Sequence, residues 1–147
     1  MNNMASTFTM ALCAETNAEA KKIAEESILW YTRQIIDGFQ KSQRGECMYN
    51  PGGSKTDMGA SYAYTKQALD VDTSQITYDY LVDHDLIIVG DPETCIQKIK
   101  KYQQAGTDQL LLMMQIYNIP HQKIMDSIRL WSEHVIPYFR QEEKKTA

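Results

Sequence analysis

The sequence predicts an α/β fold built on a parallel sheet, and three observations carry that prediction. Residues 86–140 read as an extended segment, a capped helix, a strand and a closing amphipathic helix in direct succession. A second strand followed by a capped helix occupies residues 7–39. The links within 86–140 are short, and strand–helix units joined by short links form parallel sheets, as a barrel or a doubly wound sheet.

The elements follow in chain order. Met1 to Ser6 is polar and expected to fray. Thr7 to Cys13 alternates, with Phe8, Met10 and Leu12 on one side and Thr9 and Ala11 on the other, which is a strand by period. Thr16, Asn17, Ala18 and Glu19 form a capping-box sequence, in which the hydroxyl takes one free N–H and the carboxylate returns to the cap N–H. The helix after it is expected to reach about Phe39, with Ala20, Ile23, Ala24, Trp30, Tyr31, Ile35 and Phe39 on one broad face. Both tryptophans, Trp30 and Trp131, fall on apolar faces and are expected in the core.

From Lys41 to about Tyr62 the apolar period stops, and Gly45, Pro51, Gly52, Gly53 and Gly59 take over. A structureless stretch of this length is either a functional loop or a disordered insertion. Tyr64 to Leu69 reads as a short helix, and Ile76 to Leu81 as a short extended or turn segment leading to Leu86. Asp91 and Pro92 then mark a helix start, Asp as N-cap and Pro where its missing N–H costs nothing. Glu93 adds negative charge beside the positive end of the helix dipole. Ile96, Ile99 and Tyr102 form its stripe, and Ala105 with Gly106 supplies a left-handed stop. Leu110 to Met114 is a continuous apolar run, expected to be a strand covered on both faces. Pro120 opens the last helix, with Ile124, Ile128, Trp131, Val135 and Tyr138 at helical spacing.

Several of these phrases carry a family resemblance. VGDPETC, AGTDQLLL and SIRLWSEHVIPYFR, in that order, resemble the carboxyl-terminal signature of the luciferase-like flavin monooxygenases, the family of bacterial luciferase and alkanal monooxygenase. The first strand with CAETNAEAKKIAEE resembles that family's late strand–helix pair, and ITYDYL its tyrosine-bearing approach to the VG-x-P-E motif. The resemblance implies the fold class: α/β, the carboxyl-terminal part of a TIM (β/α)8 barrel with a long lid-like insertion. A complete barrel takes about 250 residues, so these 147 residues are expected to form one partial unit. Within it, residues 7–39 are a strand plus helix, 40–75 the lid-like loop and 86–140 the closing helix–strand–helix. The family's lid covers the flavin and keeps water from it. The basic residues in and just after that stretch, Lys41, Arg44, Lys55 and Lys66, either reach toward a flavin phosphate or are simply solvated.

The resemblance also implies an activity. The complete enzyme takes reduced FMN from a separate flavin reductase, uses O2 and oxygenates a small apolar substrate; related members use a deazaflavin and transfer hydride. Most flavin contacts of the family lie on earlier strands, so this chain is expected to be inactive alone and to work as part of a homo- or hetero-oligomer. The alternative is a non-catalytic α/β remnant that serves as an assembly or interaction module through unpaired strand edges. A third possibility is that a separately encoded half completes the barrel.

Composition narrows the classes. Fifteen Lys+Arg against nineteen Asp+Glu give a net charge of −4, which argues against nucleic acid. No apolar run approaches the roughly 18 residues of a membrane span, and the first residues lack a basic segment followed by an apolar one. Cys13, Cys47 and Cys95 show no CxxC spacing and suit a reducing, cytoplasmic compartment. His84, His121 and His134 have no metal-ligand spacing, so no metal is expected, and hydrolase and P-loop motifs are lacking. Gly90 to Glu93 reads first as a turn and cap, and second as an anion-binding helix start. Gln115 follows the apolar strand at its carboxyl end, the catalytic face of a barrel. It is a candidate hydrogen-bonding partner of flavin or substrate, with Met113 and Met114 either lining an apolar pocket beside it or filling the core.

Overall fold

The computed structural model describes residues 4–43 and 72–146. Of the expected lid segment 40–75, residues 44–71, with Lys55 and Lys66, lie outside the described residues, as does the short helix expected at 64–69; residues 40–43 are not loop but continue the first helix. Strand β1 spans Ser6–Cys13 and helix α1 spans Asn17–Gln43. After a 3-10 turn at Thr73–Gln75 come α2 (Tyr78–Asp83), β2 (Ile87–Gly90), α3 (Pro92–Gln104) and β3 (Gln109–Met113). The last helix runs as α4 (His121–Leu130), a π turn (Trp131–Val135) and α5 (Ile136–Thr146).

All strand pairs are parallel and the order is β2-β1-β3. Met10 is in register with Ile87 on one side and with Met113 on the other. Alternation in β1 divides the core in two. Leu12 joins Ile87 and Val89 of β2 against Ala20, Ala24 and Ile28 of α1. Ala11 and Cys13 join Ile88 against Cys95 and Ile96 of α3, Leu130 at the end of α4, and Trp131 and Val135 of the π turn. Helices therefore cover both faces of this small parallel sheet, an α/β arrangement as expected.

Five expectations are corrected here. First, the doubly covered strand is β2, whose four residues are all buried, whereas β3 is a half-exposed edge strand. The two runs are alike in composition and both end the described sheet; the packing of α1, α2 and α3 on β2 decides which is covered. Second, ITYDYL contributes a helix. Thr77 caps α2 by accepting from the Tyr80 N–H at 3.1 Å, which lets Tyr78 and Leu81 turn inward. Third, Trp30 is 41% exposed and Ile35 is exposed as well, because the buried face of α1 is Ala20, Ala24, Ser27 and Ile28. Fourth, Ile128 is exposed while Ser127 is fully buried. Ile124, Ser127 and Trp131 form the inward face at ordinary i, i+3, i+7 spacing, with the small Ser127 against the end of β1, so Ile128, one position further round, faces out. Fifth, the amino end is tied down from Ala5 rather than frayed to Ser6. The Ala5 N–H donates to Asp108 Oδ2 at 2.8 Å, and the Gln109 N–H donates to the Ala5 carbonyl at 3.1 Å.

The helix punctuation follows the sequence closely. Asp91 caps α3 by accepting from the Thr94 N–H at 2.8 Å. The Thr107 N–H reaches the Tyr102 carbonyl and the Gly106 N–H the Gln103 carbonyl, both at 3.0 Å, closing α3 with Gly106 at φ +88°. At α1 the hydroxyl half of the capping box forms, Thr16 Oγ1 accepting from the Glu19 N–H at 3.2 Å. Glu19 itself turns away to an ion pair.

Candidate functional site

In open α/β sheets, ligands bind outside the carboxyl ends of the strands, where neighbouring strands send their helices to opposite faces. Here that place lies between β1 and β3: α1 leaves β1 on one side, and α4 returns from β3 toward the other.

A cleft of about 350 Å³ opens there, between the β1–α1 loop and the π-turn end of α4. Its floor is Cys13 and Ala14, and the Cys13 N–H donates to the buried Ser127 hydroxyl at 2.8 Å, locking the end of β1 to α4. The walls carry Glu15, Glu19, Asp126 and Glu133 against Lys123, Arg129 and His134. Lys123 donates to Glu19 Oε1 at 2.8 Å, and Arg129 stands 3.5 Å from Asp126. The hydrogen bond that it donates to Glu19 holds the Lys123 ammonium above its usual value. Four carboxylates facing two engaged cations and a histidine make the cleft unsuited to a phosphate and suited to a neutral or cationic polar group. Beneath it, Cys13 and Cys95 interact through their thiols. That contact holds Cys13 below the usual thiol value and, with burial, pushes Cys95 up.

The Gly90–Glu93 motif is structural. The carboxylate of Asp91 already occupies the helix start. A Cβ at Gly90 would stand 2.6 Å from Asn17 Oδ1 and 2.7 Å from Thr94 Cγ2, so the turn demands glycine by close approach. Asn17 Oδ1 accepts from the Asp91 N–H at 2.8 Å, joining the β2–α3 turn to the start of α1.

At the carboxyl end of β3, Met113 and Met114 are half-buried and pack on the core, and Gln115 is exposed. None of the three is among the residues lining the cleft. The turn that follows is held from below. Ile116 and Ile119 are buried, and the Ile119 N–H donates to the Ile116 carbonyl at 3.1 Å. The buried Ser27 hydroxyl of α1 donates to Asn118 Oδ1 at 2.6 Å. Between these anchors Tyr117 adopts φ +44° and stacks on Trp30, ring centroids 4.1 Å apart and planes 14° apart. Beside the turn lies an open groove of about 710 Å³, walled by Lys22, Ile23 and Glu26 of α1 and by Asn118, Pro120 and Lys123.

Sequence reasoning missed Glu15, Lys123 and Tyr117. Lys123, Asp126 and Arg129 recur every three residues on α4, a charged face that the sequence does carry. Nothing near Tyr117 announces a left-handed turn. His134 lines the cleft, His121 begins α4, and His84 stacks on Tyr80. Among the described residues no cluster of metal-ligating side chains forms, and no helix is long and apolar enough to cross a membrane.

No protein-family model matches the chain, and neither does any curated protein. Solved structures do. Monooxygenase RslO1 from Streptomyces bottropensis is similar over 91% of this chain at 17% identity and a TM-score of 0.51. The oxygenating constituent of 3,6-diketocamphane monooxygenase, a type II Baeyer–Villiger monooxygenase from the CAM plasmid of Pseudomonas putida solved with FMN, is similar over 90% at 24% identity and a TM-score of 0.55. This chain spans 30% and 32% of those two chains. At such identities the likeness establishes the fold: an α/β arrangement on a small parallel sheet, shared with about a third of each monooxygenase.

Proposed function

We propose that this chain is the carboxyl-terminal part of an FMN-dependent monooxygenase of the luciferase-like kind, acting in the cytoplasm on a small apolar organic substrate. The observation that supports the reading most is the fold match, nine-tenths of this chain on about a third of two monooxygenases, one of them holding FMN. Under this reading β1 and β3 are neighbouring strands of an incomplete TIM barrel. Strand β2, which belongs to the long crossover between them, takes the edge of β1 where a further barrel strand would pair.

The parts then divide. Bound flavin supplies the redox chemistry with O2, after reduction by a separate reductase, and the protein positions it and excludes water. The stretch between α1 and the 3-10 turn, with Lys55 and Lys66, takes the part of the lid. Met113, Met114 and Gln115, at the carboxyl end of β3, border the substrate and give it one hydrogen-bonding group. A deazaflavin-using hydride-transfer enzyme is the variant this reading admits. The chain acts as one component of a homo- or hetero-oligomer.

FMN titrated into the purified chain, followed by flavin fluorescence and melting temperature, tests the reading. Saturable binding with a raised melting temperature is expected. With reduced FMN, O2 and small ketones or aldehydes, the chain alone is expected to give no product above the protein-free control. A chain that leaves FMN unbound at millimolar concentration has no flavin role of its own.

One observation favours a second reading, a non-catalytic assembly module. Phe8 and Leu111 are in register on one face of the sheet and are 60% and 48% exposed. That patch fits a partner chain as well as it fits a barrel interior.

A further inference from the structure

We propose that the Trp30–Tyr117 pair is the stacking floor of a binding site for a planar aromatic heterocycle that carries a phosphate, with Lys22 as the phosphate partner. The inference deepens the flavin reading and rests on it only for the identity of the heterocycle.

Tyr80 and His84 form another exposed stack, also at 4.1 Å, but among the described residues only the Trp30–Tyr117 pair sets one ring on a left-handed residue of an anchored turn. Trp30 and Tyr117 are 41% and 51% exposed, so their mutual stacking leaves broad ring surface in water. Tyr117 holds φ +44°, a conformation that costs free energy in any residue with a Cβ. The turn pays that cost without gaining burial for the ring. Ile116 and Ile119 anchor it, and Asn118 is pinned to Ser27 at 2.6 Å. The rings are thus presented rigidly, and a preorganised surface loses little freedom when a ligand stacks on it. Rings of any heterocycle stack on such a surface, because each has a π face.

The same face of α1 continues the site. Glu26 and Lys22 precede Trp30 by four and eight residues and are exposed. At about 1.5 Å rise per residue they lie roughly 6 and 12 Å from it along the helix. Ring surface, carboxylate and ammonium therefore stand in line, the order of a heterocycle, its hydroxyl-bearing chain and its phosphate. A carboxylate accepts from hydroxyls, and an ammonium attracts phosphate as a point charge. Lys123 faces Lys22 across the groove but is engaged by Glu19 at 2.8 Å, which leaves Lys22 the phosphate.

The test titrates FMN, riboflavin and adenosine monophosphate into the full chain and reads tryptophan emission, Trp131 being buried and serving as a constant background. FMN is expected to quench Trp30 saturably. Tyr117→Gly is expected to weaken FMN by about five- to a hundredfold, the range of a lost ring–base stack. Its melting temperature should hold or rise, since glycine accepts the φ of this turn. Tyr117→Phe should bind like the parent. Lys22→Gln should lower FMN affinity to that of riboflavin and leave riboflavin unmoved. If FMN raises the melting temperature but neither Tyr117→Gly nor Trp30→Leu changes its affinity, the stacking site is overturned and the flavin reading survives. If adenosine monophosphate binds through Tyr117 and FMN does not, the site stands and the flavin reading falls. Absence of Trp30 quenching by all three ligands overturns the site.

Discussion

At the scale of single residues, the core on the α1 side of the sheet holds one ionisable group that reports on folding. Tyr78 is buried under α1, with the Lys21 ammonium 5.1 Å from its ring centroid. Burial, reinforced by the carboxylates of Glu25 and Asp79, pushes its phenol up to about 12. The folded state therefore holds the proton more tightly than the unfolded chain, whose phenol titrates near 10. The associated stability is fully present below about pH 10 and is lost as pH rises through about 12. Melting temperatures recorded across that window should fall more steeply for the parent than for Tyr78→Phe. Parallel falls in the two proteins would mean that Tyr78 ionises freely in the folded state.

At the scale of elements, the α2–β2 turn is gripped by α3. Asp85 takes φ +53°, and its carboxylate receives Lys98 at 3.1 Å and Lys101 at 2.8 Å. Lys98 also donates to the Val82 carbonyl at 2.9 Å, and the Tyr102 hydroxyl donates to the Asp85 carbonyl at 2.5 Å. The hydrogen bond from Lys101, helped by Lys98, holds the Asp85 carboxyl below its usual value. Its contribution is present above the ordinary aspartate pKa and is lost as pH falls through the depressed one. Asp85→Asn keeps the left-handed backbone, which asparagine tolerates, but leaves Lys98 buried with half its partners. Urea unfolding at neutral pH should show a loss of about 1–3 kcal/mol, and the acid limb of the variant should be flatter. A variant as stable as the parent would show that the ammonium groups find water instead.

Elements also show how much of the molecule could be read beforehand. Caps and stops are local chemistry, so Thr16, Asp91 and Gly106 declared themselves in sequence. The alternation in β1 did too, since each of its faces meets a core. Burial of whole elements is not local. Ile87–Gly90 and Gln109–Met113 are both apolar runs at the two ends of the described sheet, and only the packing of α1, α2 and α3 on the first buries it, while the second stays half-exposed. The π turn at Trp131–Val135 has no sequence mark either, and apolarity alone pointed to Ile128 where the Ser127 hydroxyl meets the end of β1. Likewise, Trp30 looked like core by residue type. Its place four and eight residues beyond Glu26 and Lys22 was the readable sign of an exposed face.

At the scale of the whole molecule, the two ends of the described sheet differ in cover. Strands β2 and β3 each pair with β1 alone among the described strands, but β2 is buried under helices and β3 is a half-exposed edge. Next to that edge, Phe8 and Leu111 sit in register and largely in water, while the Leu12 end of the same face lies under α1. An open edge beside an apolar patch is a template for pairing, and proteins that must remain monomeric normally blunt it with charge. Here no charge intervenes within β3, whose residues are Gln109, Leu110, Leu111, Leu112 and Met113. The chain is therefore expected to associate as its concentration rises, through this edge, with itself or with the polypeptide that completes the sheet. Leu111→Lys places a charge on the exposed face at a site already half in water, so it should change stability by no more than about 0.5 kcal/mol. Sedimentation velocity over a wide concentration range should show the parent shifting to larger species and the Leu111→Lys protein remaining monomeric. A parent that sediments as a monomer throughout, with a cooperative melt, would remove the physical basis for both the assembly reading and the incomplete barrel. The fold would then be closed as it stands, with Phe8 and Leu111 tolerated as surface.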